Sequence, residues 1–221
     1  PRETWGEAAD RIVSGTLVST GTAMHFPNEL DWHANPTANR YPEWTWQLNR
    51  HHDWQILAKA YQHSNDEQYA NTFVHQLRSW LKQVEYPLNH AGHETDCWRT
   101  IEAGIRMKDS WPYALHSFIH SSAISDDDLL RFFKAVWLHA ERLKRDYQQA
   151  NWLVIEMTGL AHVAVLYPFF REAKEWQDFA LRMLTEQLQS QFYPDGFQYE
   201  LSTGYHYGVL NNYVKLIRLC R

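Results

Sequence analysis

Apolar positions recur along most of this chain with the three-to-four-residue period of a helix, and strand-like alternation is scarce. Residues 170–190 set Trp176, Phe179, Ala180, Met183, Leu184 and Leu188 on one stripe. Residues 125–145 open with Ser125 and then Asp126, Asp127 and Asp128, a hydroxyl cap followed by acids that the helix dipole favours. Leu129, Phe132, Phe133, Val136 and Leu143 form the apolar face of that helix. Residues 65–84, from Asn65, carry Tyr69, Phe73, Leu77, Trp80 and Leu81 in the same manner. These three segments predict amphipathic helices with one solvated side.

The segments between them differ. Residues 44–62, 96–119, 149–167 and 202–219 mix apolar and polar groups on several faces. Such helices need cover on most sides. Alternation of the two kinds predicts inner and outer helices, as in a toroid or solenoid of αα-hairpins. The notable polar sites of the inner set are Asn49, Arg99, Asn151 and Tyr205, separated by 50 (99−49), 52 (151−99) and 54 (205−151) residues. One hairpin per repeat gives such a spacing and brings the four to one end of the inner layer. The expected fold is therefore all-α, an incomplete α/α toroid built from helical hairpins and spanning residues 1–221. Residues 1–40, with Pro27, Asn35 and Pro36, read as an irregular or weakly helical lead-in.

Composition narrows the function classes. The net charge is −5 and no basic block occurs, which argues against a nucleic-acid partner. No apolar run approaches the roughly 20 residues of a membrane span. Cys97 and Cys220 show neither metal-type nor redox-type spacing and read as free thiols. The 11 Trp, 12 Tyr and 13 His exceed what an aliphatic core needs. Aromatic faces suit the C–H surfaces of sugar rings, and equally an aromatic-rich core.

Four polar constellations carry candidate chemistry, each with a structural alternative. "WQLNRHHDW", residues 46–54, packs Asn49, Arg50, His51, His52 and Asp53 between tryptophans, either as a solvated helix end or facing a ligand. "DCWRTIEAGIRM", residues 96–107, spaces Arg99, Glu102 and Arg106 along one helical face. That is an ion-pair ladder, or an arginine holding an anion with Glu102 fixing its guanidinium. "ANWLVIEMTGL", residues 150–160, has Asn151 where a helix cap would sit, and Glu156 inside an apolar run. "YELSTGYHYG", residues 199–208, groups Glu200, Tyr205, His206 and Tyr207 at the mouth of a helix, as packing or as proton-transfer groups. No nucleotide loop, cysteine-based zinc site or serine elbow is present, and His51–His52 lacks helical metal-ligand spacing; no metal and no cofactor is expected.

The succession "EWTWQLNRH", "WRTIEAGIRM", "NW" with Glu156 downstream, and "DGFQYELSTGYH" resembles the heparinase II/III-like polysaccharide lyases, most closely the heparinase III branch, from about Trp32 to Tyr213. The resemblance implies an α/α toroid followed by a β-sandwich, and metal-independent β-elimination of uronic-acid polysaccharides such as glycosaminoglycans. It implies that Asn151 and Tyr205 are catalytic. It places Asn49, Arg50, His51 and Arg99 along the substrate cleft, with Glu102, Trp152, Glu156, Glu200 and His206 as further substrate-side or orienting residues. The family's enzymes are much longer and use a further histidine beyond these 221 residues, so the expectation is a toroid fragment with little activity alone. The resemblance also implies a periplasmic or secreted enzyme with an acidic polysaccharide as partner, and an open toroid edge through which the fragment self-associates. The competing readings are a helical-toroid glycoside hydrolase using Glu156, Asp195 or Glu200 as a carboxylate pair, and a non-catalytic carbohydrate-binding repeat protein.

Overall fold

The computed structural model describes residues 3–89 and 95–220. Ten helices account for most of it: α1 (Trp5–Val13), α2 (Glu43–Leu48), α3 (His52–Ser64), α4 (Glu67–Gln83), α5 (Thr100–Ile105), α6 (Trp111–Phe118), α7 (Asp126–Asp146), α8 (Ala150–Leu166), α9 (Ala173–Ser190) and α10 (Thr203–Leu219). A five-residue π-helical segment, Arg106–Ser110, joins α5 to α6. Helix α3 packs on α6, α5 and the π segment pack on α8, and α8 packs on α10, giving an inner row. Outside it α4 contacts α7, and α7 contacts α9. The chain is therefore an array of helical hairpins in two layers.

Local sequence explains the boundaries. Ser125 accepts from the Asp128 backbone N–H while Asp128 reaches back to the Ser125 N–H, a capping box at the start of α7. Arg78 of α4 grips Asp128 through two bonds of 2.7 Å and so ties two outer helices together. Asp66, one residue after the expected start, caps α4. Helix α8 is apolar nearly all round and lies at the centre of the array, as its pattern requires. It crosses α5 at two glycines. A Cβ on Gly159 would stand 2.6 Å from the Gly104 carbonyl oxygen, and one on Gly104 would stand 2.9 Å from the Glu156 Cα. The backbones touch there because neither residue has a side chain.

The lead-in carries short regular elements: α1 begins on a Thr4–Glu7 capping box, and β1 (Thr16–Ser19) pairs antiparallel with β2 (Thr22–His25) around Thr20 and Gly21, both at positive φ. The single helix expected over 44–62 is broken. His51 adopts φ 57°, a left-handed conformation that ends one helical run before the next begins. The break turns α2 and α3 into separate rods.

Candidate active site

The N-terminal ends of three inner helices meet at one groove of about 310 Å³. Arg99 and Ile101 come from the start of α5, Asn151 and Trp152 from the start of α8, and Gly204 and Tyr205 from the start of α10. Glu43 and Arg50 close one side, and Gly208, Val209 and Asn212 continue the α10 wall. Helix N-termini carry partial positive charge, so this end of the array favours an anion. A Cβ added at Gly208 meets nothing within 4 Å, so the glycine leaves open space along that wall.

Arg99 lies flat between two indoles. Its guanidinium carbon is 3.5 Å from the Trp46 ring centroid and 4.7 Å from that of Trp152. Glu102 holds it from behind at 3.5 Å, and Glu102 also accepts from Arg50 at 3.0 Å, which in turn reaches Glu43 at 3.2 Å. One nitrogen of the Arg99 guanidinium is buried without a hydrogen-bond partner. Burial raises the Glu102 pKa and lowers that of Arg99; each then pulls the other back toward its charged form.

Asn151 is not a helix cap. Gln149 occupies the cap position without a side-chain bond, and Ala150 has φ 62°. The Asn151 amide instead donates to both oxygens of Glu200, each at 3.0 Å. Tyr205 follows Ser202, whose hydroxyl caps α10 by accepting from the Tyr205 N–H. More than half of Tyr205 is exposed, at 56%. His206 is turned out of the groove, stacked on Phe197 at 4.7 Å, with its Nδ1 accepting from the Gln198 N–H.

Other candidates are placed in the core. Asn49 is fully buried, donating to the carbonyls of Trp32 and Thr45 and accepting from the Trp80 indole N–H. Its bonding capacity is spent. His51 is buried against Trp54 at 4.1 Å, and its Nδ1 accepts from the Trp111 indole. Burial and the nearby Arg106 depress its pKa far below the usual histidine range, so it is a neutral ring. Arg106 is also fully buried; it donates to the carbonyls of Asn49 and Cys97 and to His139 Nε2. Loss of solvent pushes its pKa down to about 9, against the pull of Glu102. The three are parts of a tryptophan-lined core, not a cleft. Cys97 and Cys220 are free thiols, one buried and one exposed.

Glu156 is fully buried too. One oxygen accepts from the Gln148 backbone N–H at 2.8 Å, and the other makes no hydrogen bond of good geometry, although the nearby Thr100 hydroxyl favours the charged form. Burial raises its pKa to about 7. A carboxyl whose folded pKa is raised holds its proton more tightly when folded, so stability is greatest below the unfolded pKa and falls as pH rises to about 7. Glu156→Gln should match the wild type near pH 4.5 and exceed it by on the order of a few kcal/mol at pH 8. Chemical denaturation at the two pH values reads this out; a gain independent of pH would exclude the titration.

Glu43 was not among the candidate site residues, and Trp46 was marked only as an aromatic flanking the polar knot. Their spacing with Arg50 at i, i+3 and i+7 was the available signal, since it sets all three on one face of α2 and its extension.

Fold and groove together define a class: an α/α-hairpin array whose inner helices aim their N-termini at one anion-favouring groove. The chain belongs to the heparinase II/III N-terminus family, whose family model matches residues 7–221. A heparin-sulfate lyase of Pedobacter heparinus is 27% identical, the match covering 86% of this chain and 28% of that protein. The crystal structure of a heparan sulfate lyase from Pedobacter heparinus is 26% identical with TM-score 0.82, covering 99% of this chain and 35% of that one. A crystal structure of heparinase III, at 22% identity and TM-score 0.90 over 99% of this chain and 34% of its own, shows likeness of fold. This chain thus spans about a third or less of the length of these relatives.

Proposed function

We propose that this chain is the helical part of a polysaccharide lyase that cleaves uronic-acid-containing glycosaminoglycans by β-elimination. The observation that carries this reading is the meeting of the Asn151 amide, the Tyr205 phenol and the Arg99 guanidinium at three helix N-termini around one groove. Elimination removes the proton on the carbon beside a carboxylate, and the enolate that forms would be a dianion. The neutral Asn151 amide offers an N–H to that carboxylate as charge develops. Where the carbon-bound proton and the glycosidic oxygen lie on one face, Tyr205 as the phenolate takes that proton, and the phenol so formed passes it to the departing glycosidic oxygen as the carbon–oxygen bond breaks. Arg99, held flat by Trp46 and Trp152 at the groove wall, supplies the positive charge that draws an anionic group of the polymer.

The hydrolase alternative needs two carboxylates facing across the scissile bond. Glu156 is sealed in the core, Glu200 is bonded to Asn151, and Asp195 is exposed in a turn, accepting from the Phe197 N–H. That arrangement supports elimination over hydrolysis.

Among the described residues no helix is long and apolar enough to cross a membrane. A polymeric acidic substrate fits a periplasmic or secreted enzyme. The exposed Tyr207, Leu210 and Ile217, on one side of α10, support self-association of this chain on its own. The test is ultraviolet absorbance of the full-length protein on heparan sulfate, hyaluronan, chondroitin and alginate. Elimination creates a conjugated double bond, so absorbance should rise on a glycosaminoglycan. Reducing ends appearing without absorbance would establish hydrolysis, and sugar binding without either would leave a binding protein.

A further inference from the structure

The segment between α9 and α10 ends on Glu200, and its carboxylate is built to meet Asn151. The Asn151 Nδ2 is equidistant from both oxygens, at 3.0 Å. The two oxygens of one carboxylate lie close together, so a single N–H directed between them serves both. An amide nitrogen has two N–H groups, and the second is left over.

The carboxylate is itself fixed from behind. Gln198, fully buried, donates to Glu200 Oε2 at 3.2 Å and accepts from the Glu200 backbone N–H at 3.0 Å. Gln191, also buried, donates to the Ala150 carbonyl at 2.8 Å, and its own carbonyl accepts from the Tyr199 N–H at 2.8 Å. Two buried amides therefore tie this segment to the first residue of α8 and to Glu200 at once. The backbone beside each member of the pair is left-handed, φ 62° at Ala150 and φ 55° at Leu201, a conformation that non-glycine residues adopt only when surroundings over-determine it.

We propose that Glu200 is the positioning residue of Asn151. An ionised carboxylate only accepts, so it selects the amide orientation with nitrogen toward itself and oxygen away. The free N–H is then presented to a substrate carboxylate, and the amide oxygen, which would repel it, is not. Glu200 does not itself line the groove. The proposal rests on the reading of Asn151 as the group that meets the substrate carboxylate.

The experiment uses the full-length protein and a glycosaminoglycan that it cleaves, with Glu200→Ala, Glu200→Gln, Asn151→Ala and the Asn151→Ala/Glu200→Ala double variant. Glu200→Ala should lower kcat by about 10- to 100-fold, less than outright loss of a donor, with KM within about 3-fold. Glu200→Gln keeps an acceptor oxygen and should restore most of kcat. The double variant should be no slower than Asn151→Ala. Unchanged or increased kcat in Glu200→Ala overturns the proposal, the increase marking Glu200 as a competitor for the amide. A double variant slower than Asn151→Ala also overturns it. Wild-type turnover in Asn151→Ala refutes the reading of Asn151 instead. The side-chain amide signals of Asn151 in ¹⁵N spectra give a readout independent of turnover. They should shift in Glu200→Ala and stay near wild type in Glu200→Gln; unshifted signals in Glu200→Ala overturn the proposal.

Discussion

Replacing Tyr205 by phenylalanine in the full-length protein should lower turnover by roughly 100-fold or more, the scale of a lost general acid–base group. The substitution removes one hydroxyl and keeps the ring. Tyr205 is 56% exposed at the groove and, among the described residues, its hydroxyl has no hydrogen-bond partner, so melting temperature and substrate KM should hardly move. Tyr207→Phe is the internal control. Two residues along a helix turn the side chain by about 200°, and Tyr207, 70% exposed, is absent from the groove lining. Near-wild-type turnover in Tyr205→Phe would remove the tyrosine from the mechanism. Equal losses in the two variants would point to the α10 end as a whole rather than to one phenol.

The second large effect belongs to Asn151. Asn151→Ala should cost about 100- to 1000-fold in kcat, as removal of an oxyanion-type donor does. Asn151→Asp should be at least as damaging, because it sets a carboxylate against Glu200, now 3.0 Å from the amide nitrogen, and against the substrate's own charge. The loss should appear in kcat more than in KM, since the bond strengthens only as the enolate forms. Steady-state kinetics beside thermal melts separate this from unfolding. An Asn151→Ala enzyme with reduced KM-normalised binding but intact kcat would make Asn151 a ground-state contact only.

How far the groove could be read in advance differs from residue to residue. Arg50, Arg99, Asn151, Trp152 and Tyr205 were singled out from sequence and fall around one groove. Asn49 and His51 were singled out by the same polarity and lie in the core. Nothing in "WQLNRHHDW" tells them apart, because a buried Asn saturated by a tryptophan N–H and two carbonyls has the same letters as one facing a sugar. The left-handed turn at His51 is what divides them: it sends Arg50 to the groove and His51 against Trp54. Arg106 shows the same limit. Its i, i+4 spacing from Glu102 promised a shared face, but it opens the π segment and is sealed among Trp80, Trp98 and His139.

By itself the sequence determined the three outer helices, the Ser125 cap of α7 and the division into amphipathic outer and many-sided inner rods, because periodicity and capping act over a few residues. It also marked the helix mouths at Asn151 and Tyr205, since polar groups at the start of inner rods stand out locally. Only the tertiary structure decided which polar side chains are spent and which are free. Asn151 is held by a carboxylate 49 residues away, Arg99 is clamped by indoles from α2 and α8, and Glu156 is left half-bonded in the core. Those states depend on desolvation and on partners from distant segments, and both exist only once the two layers have packed.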